Sequence, residues 1–206
     1  MKIIILGPPG SGKGTIAEKL AKDFNLIPIS AGEILRKEIA KHTSLGKKVK
    51  SIGKGVLAPN KLVSDIIRKN IKNKNNFILD GFPRTISQAK ETGIMGINEV
   101  IYLNVAEKPI IKRLSGRRVC PKGHTYHLTN FPPKKSGICD IDGSKLEKRE
   151  DDKPEVIKKR FKIFHKEIKP VLAYFKDKKL LKTANADQNP RNAYLDVKKL
   201  VKNIYK

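Results

Sequence analysis

The segment that decides the fold reads Gly7-Pro8-Pro9-Gly10-Ser11-Gly12-Lys13-Gly14-Thr15, and it directly follows the apolar run Ile3-Ile4-Ile5-Leu6. Its glycines allow backbone N–H groups to point inward, and the helix predicted to follow adds the positive end of its dipole. Lys13 adds a full positive charge at the same place, which a merely tight turn would not require. We therefore predict that this loop binds the phosphates of a nucleotide.

One residue distinguishes this loop from the usual phosphate loop, in which serine or threonine directly follows the lysine. Here Gly14 intervenes and the hydroxyl belongs to Thr15, so we do not expect the loop to ligate a metal ion directly. The Gly-x-Pro-Gly-x-Gly-Lys-Gly-Thr form resembles the nucleoside monophosphate kinases, in which the metal is held largely by phosphates and water. A dinucleotide-binding fold is disfavoured because the turn lacks Gly-x-Gly-x-x-Gly.

Short apolar runs, bounded by Gly, Asn or Asp and separated by helical patterns, recur along the chain. They predict buried parallel strands at 2–6, 27–29, 77–79, 100–103 and 179–181. The alternation of strands with helices predicts the fold class α/β, with three layers (helix, sheet, helix) around a five-stranded parallel sheet. Ligands are then expected beyond the carboxyl ends of the strands.

Two helices follow from apolar spacing. The first begins at the glycine loop, carries Ile16, Leu20 and Phe24 on one face, and is expected to end in a left-handed cap at Asn25. A long late helix is expected to kink near Pro170. Its apolar face consists of Ile157, Phe161, Phe164, Ile168, Leu172 and Phe175. We interpret both stripes as core positions.

A second polar cluster, Asp80-Gly81-Phe82-Pro83-Arg84-Thr85-x-x-Gln88, follows the strand predicted at 77–79, on the same sheet edge as the phosphate loop. Asp80 can orient water around Mg²⁺, Arg84 can grip a phosphate with its planar guanidinium, and Gln88 can recognise a base edge. One such arginine alone would be a surface charge, but the whole string is specific. Gly81-Phe82-Pro83-Arg84 with Gln88 resembles the monophosphate-binding signature of the adenylate kinase family.

Further similarity to that family extends across the chain. Ser30-Ala31-Gly32-Glu33-Ile34-Leu35-Arg36 resembles its Ser-Thr-Gly-Asp-x-x-Arg segment, which implies that Arg36 binds the AMP phosphate. Ala31 replaces the family's threonine, so one adenosine contact is expected to be weaker or made by the backbone. The AMP-binding residues that the resemblance implies are Ala31, Arg36, Leu57 and Ala58 (which would line the adenine pocket), Gly81, Arg84, Gln88, Arg149 and Arg160.

Arginines bracket the segment from about 117 to 153. In similar adenylate kinases the residues at the positions of Arg117, Arg149 and Arg160 clamp phosphates, and the one at Arg113 stacks on the adenine of ATP. Arg118 is interpreted as plain surface charge. The implied ATP-binding residues are Pro9, Gly10, Ser11, Gly12, Lys13, Gly14, Thr15, Arg113 and Arg117.

Two ligand pairs, Cys120-x-x-x-His124 and Cys139-x-x-Asp142, resemble the zinc-bearing long lid of the family. Two cysteines are too few for a disulfide framework, and in a reducing compartment they are better interpreted as metal ligands. The family pattern begins Cys-x-x-Cys, but Gly123 stands at the second cysteine's position, so His124 would serve from one residue further on. Structural Zn²⁺ bound by Cys120, His124, Cys139 and Asp142 is expected.

Two alternatives remain open for the lid. His127 could be the nitrogen ligand, although the family's Tyr-His pair matches Tyr126-His127 and favours packing or hydrogen bonding there. A metal-free lid, held by hydrogen bonds among the four polar residues, is the other alternative. The soft thiolate donors favour zinc over that arrangement.

The chain is expected to form one core domain with two insertions. The core consists of residues 1–29, 74–116 and 154–206. The first insertion, 30–73, is helical, is punctuated by glycines, and would bind the monophosphate. The second, 117–153, is rich in Pro, Gly, Cys, His and charge, and is expected to form a small β-rich lid. Its only plausible β run is Thr125-Tyr126-His127-Leu128-Thr129.

The net charge of +25, from 45 Lys and Arg against 20 Asp and Glu, attracts any polyanion. We interpret the lysines as solvated surface that also draws in nucleotides, because aromatic residues make up only 6% and do not alternate with the basic runs. No obligate nucleic-acid partner is therefore expected. The apolar runs are far shorter than the roughly 20 residues of a membrane helix, and Met1-Lys2 leaves no room for a signal peptide. We expect a cytoplasmic protein without a membrane partner, for which a monomer suffices.

The resemblance implies reversible transfer of the γ-phosphoryl group of Mg·ATP to AMP, giving two ADP for adenine nucleotide balance. The acceptor is already an anion, so no general base is needed, and the catalytic residues would be cations. They are Lys13, Arg84, Arg117, Arg149 and Arg160. Kinases for UMP or CMP, or an archaeal-type AMP kinase, are the nearest alternatives. A nucleic-acid-binding module with a zinc knuckle is an alternative from another class, but it gives the lid arginines no role.

Overall fold

The computed structural model describes residues 1–203. Its strands are β1 (Lys2–Leu6), β2 (Ile27–Ser30), β3 (Phe77–Asp80), β4 (Glu99–Asn104), β5 (Arg117–Val119), β6 (Thr125–His127) and β7 (Leu181–Asn185). Its α-helices are α1 (Lys13–Asp23), α2 (Ala31–Ala40), α3 (Ser44–Val49), α4 (Asn60–Ile71), α5 (Ile86–Glu91), α6 (Glu107–Ser115), α7 (Pro154–Asp177) and α8 (Pro190–Lys202). The last residues of the predicted core domain, 204–206, lie outside the described residues.

The central sheet has five parallel strands in the order β2-β3-β1-β4-β7. On β1 the side chains of Ile3 and Ile5 enter one apolar cluster, with α1 and α8, whereas Ile4 and Leu6 enter another on the opposite face. A strand whose alternate side chains are buried on both faces must be covered by two layers. The predicted α/β class, with three layers and a five-stranded parallel sheet, is confirmed.

The helix predicted after the phosphate loop has the expected ends. Gly12 is its N-cap with φ of 93°, and Asn25 adopts a left-handed conformation just beyond its last turn, as predicted. Helix α7 continues without interruption through Pro170, so the proline does not end it. Its predicted apolar face points inward, because Ile157, Phe161 and Phe175 are buried.

The last strand of the sheet was placed wrongly by the sequence pattern. It was expected at 179–181, whereas β7 runs over Leu181–Asn185. Lys179 has φ of 58°, and the N–H of Leu180 donates to the carbonyl of Phe175 at 3.0 Å, so these residues close α7 instead. An apolar run at a helix end is thus shared between the helix cap and the strand that follows.

Two segments lie outside this core pattern. Helices α2, α3 and α4 fill the stretch between β2 and β3, and the antiparallel pair β5–β6 follows α6. Strand β6 ends at His127, earlier than the predicted β run, and β5 was not anticipated as a strand. Of the helices in residues 1–203, none is both long and apolar enough to traverse a lipid bilayer.

Candidate active site

Lys13 lies at the centre of the phosphate loop. Its Nζ donates hydrogen bonds to the carbonyl oxygens of Gly7 and Pro8, both at 2.8 Å. Burial lowers the pKa of Lys13 to about 8, the positive charge of Arg84 acts in the same direction, and Asp80 opposes it. A bound phosphate would place negative charge beside this ammonium group and thereby favour its protonated form.

The glycines of the loop serve two separate purposes. Gly10 has φ of 79°, and a Cβ there would lie 2.6 Å from Cγ2 of Ile110, so glycine allows α6 to pack directly on the loop. Gly12 has φ of 93°, and a Cβ there would meet no atom within 4 Å. The space in front of the α1 N-terminus is therefore open to a ligand, which is where a helix attracts anions.

Two cavities meet at this loop, with volumes of about 460 Å³ and 130 Å³. The larger one is lined by the loop residues Pro9, Gly10, Ser11, Gly12, Lys13, Gly14 and Thr15 and by Asp80, Arg113, Arg117 and Arg149. The smaller one is lined by Ala31, Leu57, Ala58 and Gln88, which border no part of the larger one. Residues that line both are Pro9, Lys13, Gly32, Arg36, Gly81, Arg84 and Arg160. Arg149, expected on the AMP side, borders the larger cavity.

Hydrogen bonds fix the orientation of Gln88 at the smaller cavity. Its Oε1 accepts from the backbone N–H of Arg84 at 2.8 Å, and its Nε2 donates to Oδ1 of Asn60 at 3.0 Å. The same Asn60 oxygen accepts from Oγ1 of Thr85 at 3.1 Å. Gln88 is only 2% exposed, so these partners determine which way its amide faces.

Arg36 lies in the wall that both cavities share. In the part of the chain that the structure describes, its guanidinium has no hydrogen bond and no carboxylate within 4 Å. Burial lowers the pKa of Arg36 to about 9, and the nearby positive charges of Arg149 and Arg117 lower it further. A half-buried arginine without an ion partner is suited to bind an anion, which would supply the missing charge and hydrogen-bond acceptors.

The arginines around 117–160 are paired with neighbouring aspartates. Arg117 donates from Nε and Nη2 to Asp152 at 2.8 and 2.5 Å, and Arg149 donates in the same way to Asp151 at 2.8 and 2.6 Å. Arg160 lies 3.2 Å from Asp151 and 3.4 Å from Asp152. Planar bidentate pairs of this kind hold guanidinium groups in defined positions.

Arg113 and Arg118 differ in their surroundings. Arg113 borders the larger cavity, where its Nη2 donates to the carbonyl oxygens of Ala186 and Gln188 at 3.1 and 3.2 Å. Arg118 donates to the carbonyls of Ser115 and Arg117 and lines neither cavity. The larger cavity therefore has an oriented guanidinium at Arg113, whereas Arg118 borders neither cavity.

Asp80 ends β3 beside the phosphate loop. One carboxylate oxygen accepts from Oγ of Ser30 at 3.3 Å, and a Cβ on Gly14 would lie 3.6 Å from the same oxygen. Carboxylate and water oxygens are the ligands that Mg²⁺ prefers. The position of Asp80 next to the phosphate loop therefore fits a magnesium ion held through water and phosphates.

The four candidate zinc ligands come together between two tight turns. Sγ of Cys120 and Sγ of Cys139 each lie 3.3 Å from Nδ1 of His124, which lies 3.3 Å from Oδ2 of Asp142. All four donor atoms lie within 4.8 Å of one another. Tetrahedral zinc with bonds of about 2.0–2.3 Å separates its ligands by about 3.3–3.8 Å. The three separations from Nδ1 of His124 and the 3.5 Å between Sγ of Cys120 and Oδ2 of Asp142 fall in this range, so these contacts fit the ion. Gly123, with φ of 100°, forms the turn that aims His124.

His127 has a different environment. Its Nδ1 accepts hydrogen bonds from the backbone N–H groups of Thr129 and Asn130, both at 3.1 Å. Its ring also fills the space beside Gly116, where a Cβ would lie 2.5 Å from Nε2. His127 therefore stands outside the donor cluster and hydrogen-bonds, as the resemblance implied.

A cavity at a phosphate loop that shares its lining cations with a second, largely apolar cavity defines the class of nucleoside monophosphate kinases. Within that class the chain belongs to the adenylate kinase family, whose sequence profile matches residues 5–180. It is 46% identical to an adenylate kinase of Caldicellulosiruptor saccharolyticus over 195 residues, which cover 89% of this chain and 91% of that protein. Identity to an adenylate kinase of Staphylococcus epidermidis is 44% over 200 residues, covering 92% and 93%. For one of Petrotoga mobilis it is 39% over 197 residues, covering 92% of both.

Sequence reasoning did not assign roles to several residues that shape the site. Asn60 orients Gln88, and Asp151 and Asp152 neutralise the arginines. The adjacent acids at 151 and 152 were a visible signal, because two carboxylates beside an arginine-rich segment suggest ion pairs. Asn60 gave no signal, since its partners lie in another helix.

Proposed function

We propose that this protein transfers the γ-phosphoryl group of Mg·ATP reversibly to AMP and forms two ADP. The observation that carries the proposal is that Lys13, Arg36, Arg84 and Arg160 line both cavities. Cations shared by two adjoining cavities fit two sets of phosphates that meet end to end. The family relationship supports the same activity, since each of the relatives named above is an adenylate kinase.

The two cavities differ in a way that assigns the nucleotides. The larger cavity includes the phosphate loop and Arg113, so it fits a triphosphate with its base toward Arg113. The smaller one has apolar walls at Leu57 and Ala58 and the oriented amide of Gln88, which suit the base of a monophosphate. ATP is therefore the donor at the loop and AMP the acceptor opposite.

Catalysis in this site consists of positioning and charge stabilisation. The attacking phosphate oxygen of AMP is already an anion, so no side chain needs to remove a proton. Lys13, Arg84, Arg117, Arg149 and Arg160 would surround the transferred group and stabilise the charge that spreads over its oxygens. Because burial lowers the pKa of Lys13 to about 8, the negative charge of a bound phosphate would also favour its protonated form.

Asp80, with Ser30 beside it, would orient the water ligands of the magnesium ion. A bound Mg²⁺, held through these water ligands, would neutralise part of the negative charge on the phosphates of the donor. Thr15 borders the same cavity, but Gly14 stands between it and Lys13. We therefore do not expect the loop itself to ligate the metal directly.

The lid cluster is proposed to hold a structural Zn²⁺ through Cys120, His124, Cys139 and Asp142. The donor distances and the two thiols support this, and four protein ligands are the number that a structural zinc site uses. Elemental analysis of the purified protein is expected to give one zinc per chain. A chain free of zinc that keeps its melting temperature in chelator would exclude this role.

Closure over the nucleotides accounts for the two insertions. We propose that 30–73 covers the monophosphate and 117–153 covers ATP, on a core of 1–29, 74–116 and 154–206. Water would otherwise accept the phosphoryl group, so its exclusion favours transfer to AMP. A cytoplasmic monomer, with no nucleic-acid or membrane partner, is sufficient for this reaction.

The assay that tests the function couples ADP formation to pyruvate kinase and lactate dehydrogenase with ATP and, in turn, AMP, CMP, UMP or GMP. AMP is expected to be the preferred acceptor. Preference for CMP or UMP would support a pyrimidine monophosphate kinase instead. A chain with no transfer to any monophosphate, but with tight and salt-sensitive RNA binding, would favour the nucleic-acid alternative.

A further inference from the structure

Asp151 occupies a position that a nucleotide phosphate would be expected to share. Its two oxygens accept hydrogen bonds from Nε and Nη2 of Arg149 at 2.8 and 2.6 Å, and Arg160 lies 3.2 Å away. The side chain is 13% exposed and borders the smaller cavity. One edge of Arg149 that could bind a phosphate through two parallel hydrogen bonds, formed by Nε and Nη2, is therefore already used by a carboxylate.

Asp152, the next residue, differs in burial although its chemistry is the same. Its side chain is fully buried, it lines neither cavity, and it accepts two hydrogen bonds from Arg117. This carboxylate joins Arg117, at the start of β5, to the segment that precedes α7. Asp152 is therefore a structural partner of Arg117 and, at 3.4 Å, of Arg160, with no access to a ligand.

The charge of Asp151 acts on more than its nearest arginine. It counteracts the lowering of the pKa that burial causes in Arg36, Arg84 and Arg160, all of which line both cavities. The opposing charges of Arg149 and Arg160, with the hydrogen bond from Arg149, outweigh the burial of Asp151 and hold its own pKa well below the usual range. The carboxylate therefore stays ionised at neutral pH, and it supplies the negative charge that the phosphates bring when they bind.

We propose that Asp151 is an internal counter-anion that competes with nucleotide phosphates for Arg149 and Arg160, and thereby weakens nucleotide binding and speeds product release. Binding requires the phosphate either to displace the carboxylate or to approach it against like-charge repulsion. Removal of the charge should therefore tighten phosphate binding. A residue that only positions the arginines would have the opposite effect, because its loss would weaken phosphate binding.

The inference rests on the proposed function only for the identity of the nucleotides, so its test uses inorganic tripolyphosphate as the probe. Calorimetric titration compares the wild type with Asp151→Asn, Asp151→Ser, Asp151→Glu and Asp152→Asn. Both neutral variants at 151 are expected to bind the probe on the order of tenfold more tightly, since a close charged competitor is removed. Asp151→Glu keeps the charge and should stay within about twofold of the wild type.

Asp152→Asn is the matched control and is expected to bind the probe no more tightly than the wild type. In steady-state kinetics, Asp151→Asn should lower both KM for AMP and kcat, as slower product release predicts. Unchanged or weaker binding of tripolyphosphate by both neutral variants would overturn the proposal, and so would an equal gain in Asp151→Glu. Failure of the proposed function is a separate result, namely a wild type without AMP-dependent transfer.

Discussion

Replacement of Arg84 by alanine should remove a central cation of the shared phosphate region. Nε of Arg84 donates to the carbonyl of Gly81 at 2.9 Å, whereas its two Nη groups have no hydrogen-bond partner within the described residues. Arg84 lines both cavities, so these groups can bind the transferred phosphoryl group. Two charge-assisted bonds of about 1.5–2 kcal/mol each give about 3–4 kcal/mol. That energy corresponds to a loss in kcat of about 10²- to 10³-fold.

The coupled assay, with both nucleotides saturating, measures this loss directly. Arg84→Lys keeps the charge but lacks the planar pair of donors, so it should retain more activity than Arg84→Ala. Arg118→Ala is the control, because Arg118 lines neither cavity, and its kcat should stay within about twofold of the wild type. Melting temperatures of all variants show whether folding is affected. A folded Arg84→Ala protein with kcat within about tenfold of the wild type would refute the reasoning.

Three further outcomes are expected. Asn60→Ala should raise KM for AMP about fivefold or more, because Gln88 Nε2 and Thr85 Oγ1 lose a buried acceptor. Asn60→Asp keeps an oxygen there, so it should raise KM less. Equal KM values in both variants would contradict this positioning role. The logarithm of kcat/KM for ATP should decline as pH rises above about 8, since Lys13 of the free protein loses its proton there and phosphate binding favours the protonated form. Lys13→Arg should abolish the decline. If the decline persists in that variant, another group causes it. Chelation of the proposed zinc, or Cys139→Ser, should lower the melting temperature of the lid by several degrees, as measured by calorimetry. A Cys139→Ser protein that melts like the wild type would count against the metal.

Much of the fold followed from local patterns. The apolar run before Gly7 predicted a buried strand, and the Asn25 cap and most strand positions were also correct because they depend on residues close in sequence. The last strand was misplaced because the N–H of Leu180 bonds to the end of α7 and not to the sheet. The end of α7 and the start of β7 compete for the same apolar run. Strand β5 was missed because it has only three residues and pairs with β6 across the lid.

By itself the sequence determined which chemical groups are available: the loop around Lys13, the Arg84 and Gln88 cluster, and the cysteine-containing ligand pairs. Their roles are encoded in short spacings, because a helix N-terminus or a tight turn is a local structure. Only the tertiary structure decided which groups share a space. Pairing of Arg117 with Asp152 spans 35 residues, and such contacts arise from how distant elements pack, which no short motif records. Within residues 1–203 the same packing leaves Arg36 without an ion partner, which supports the proposal that phosphates bind between the two cavities.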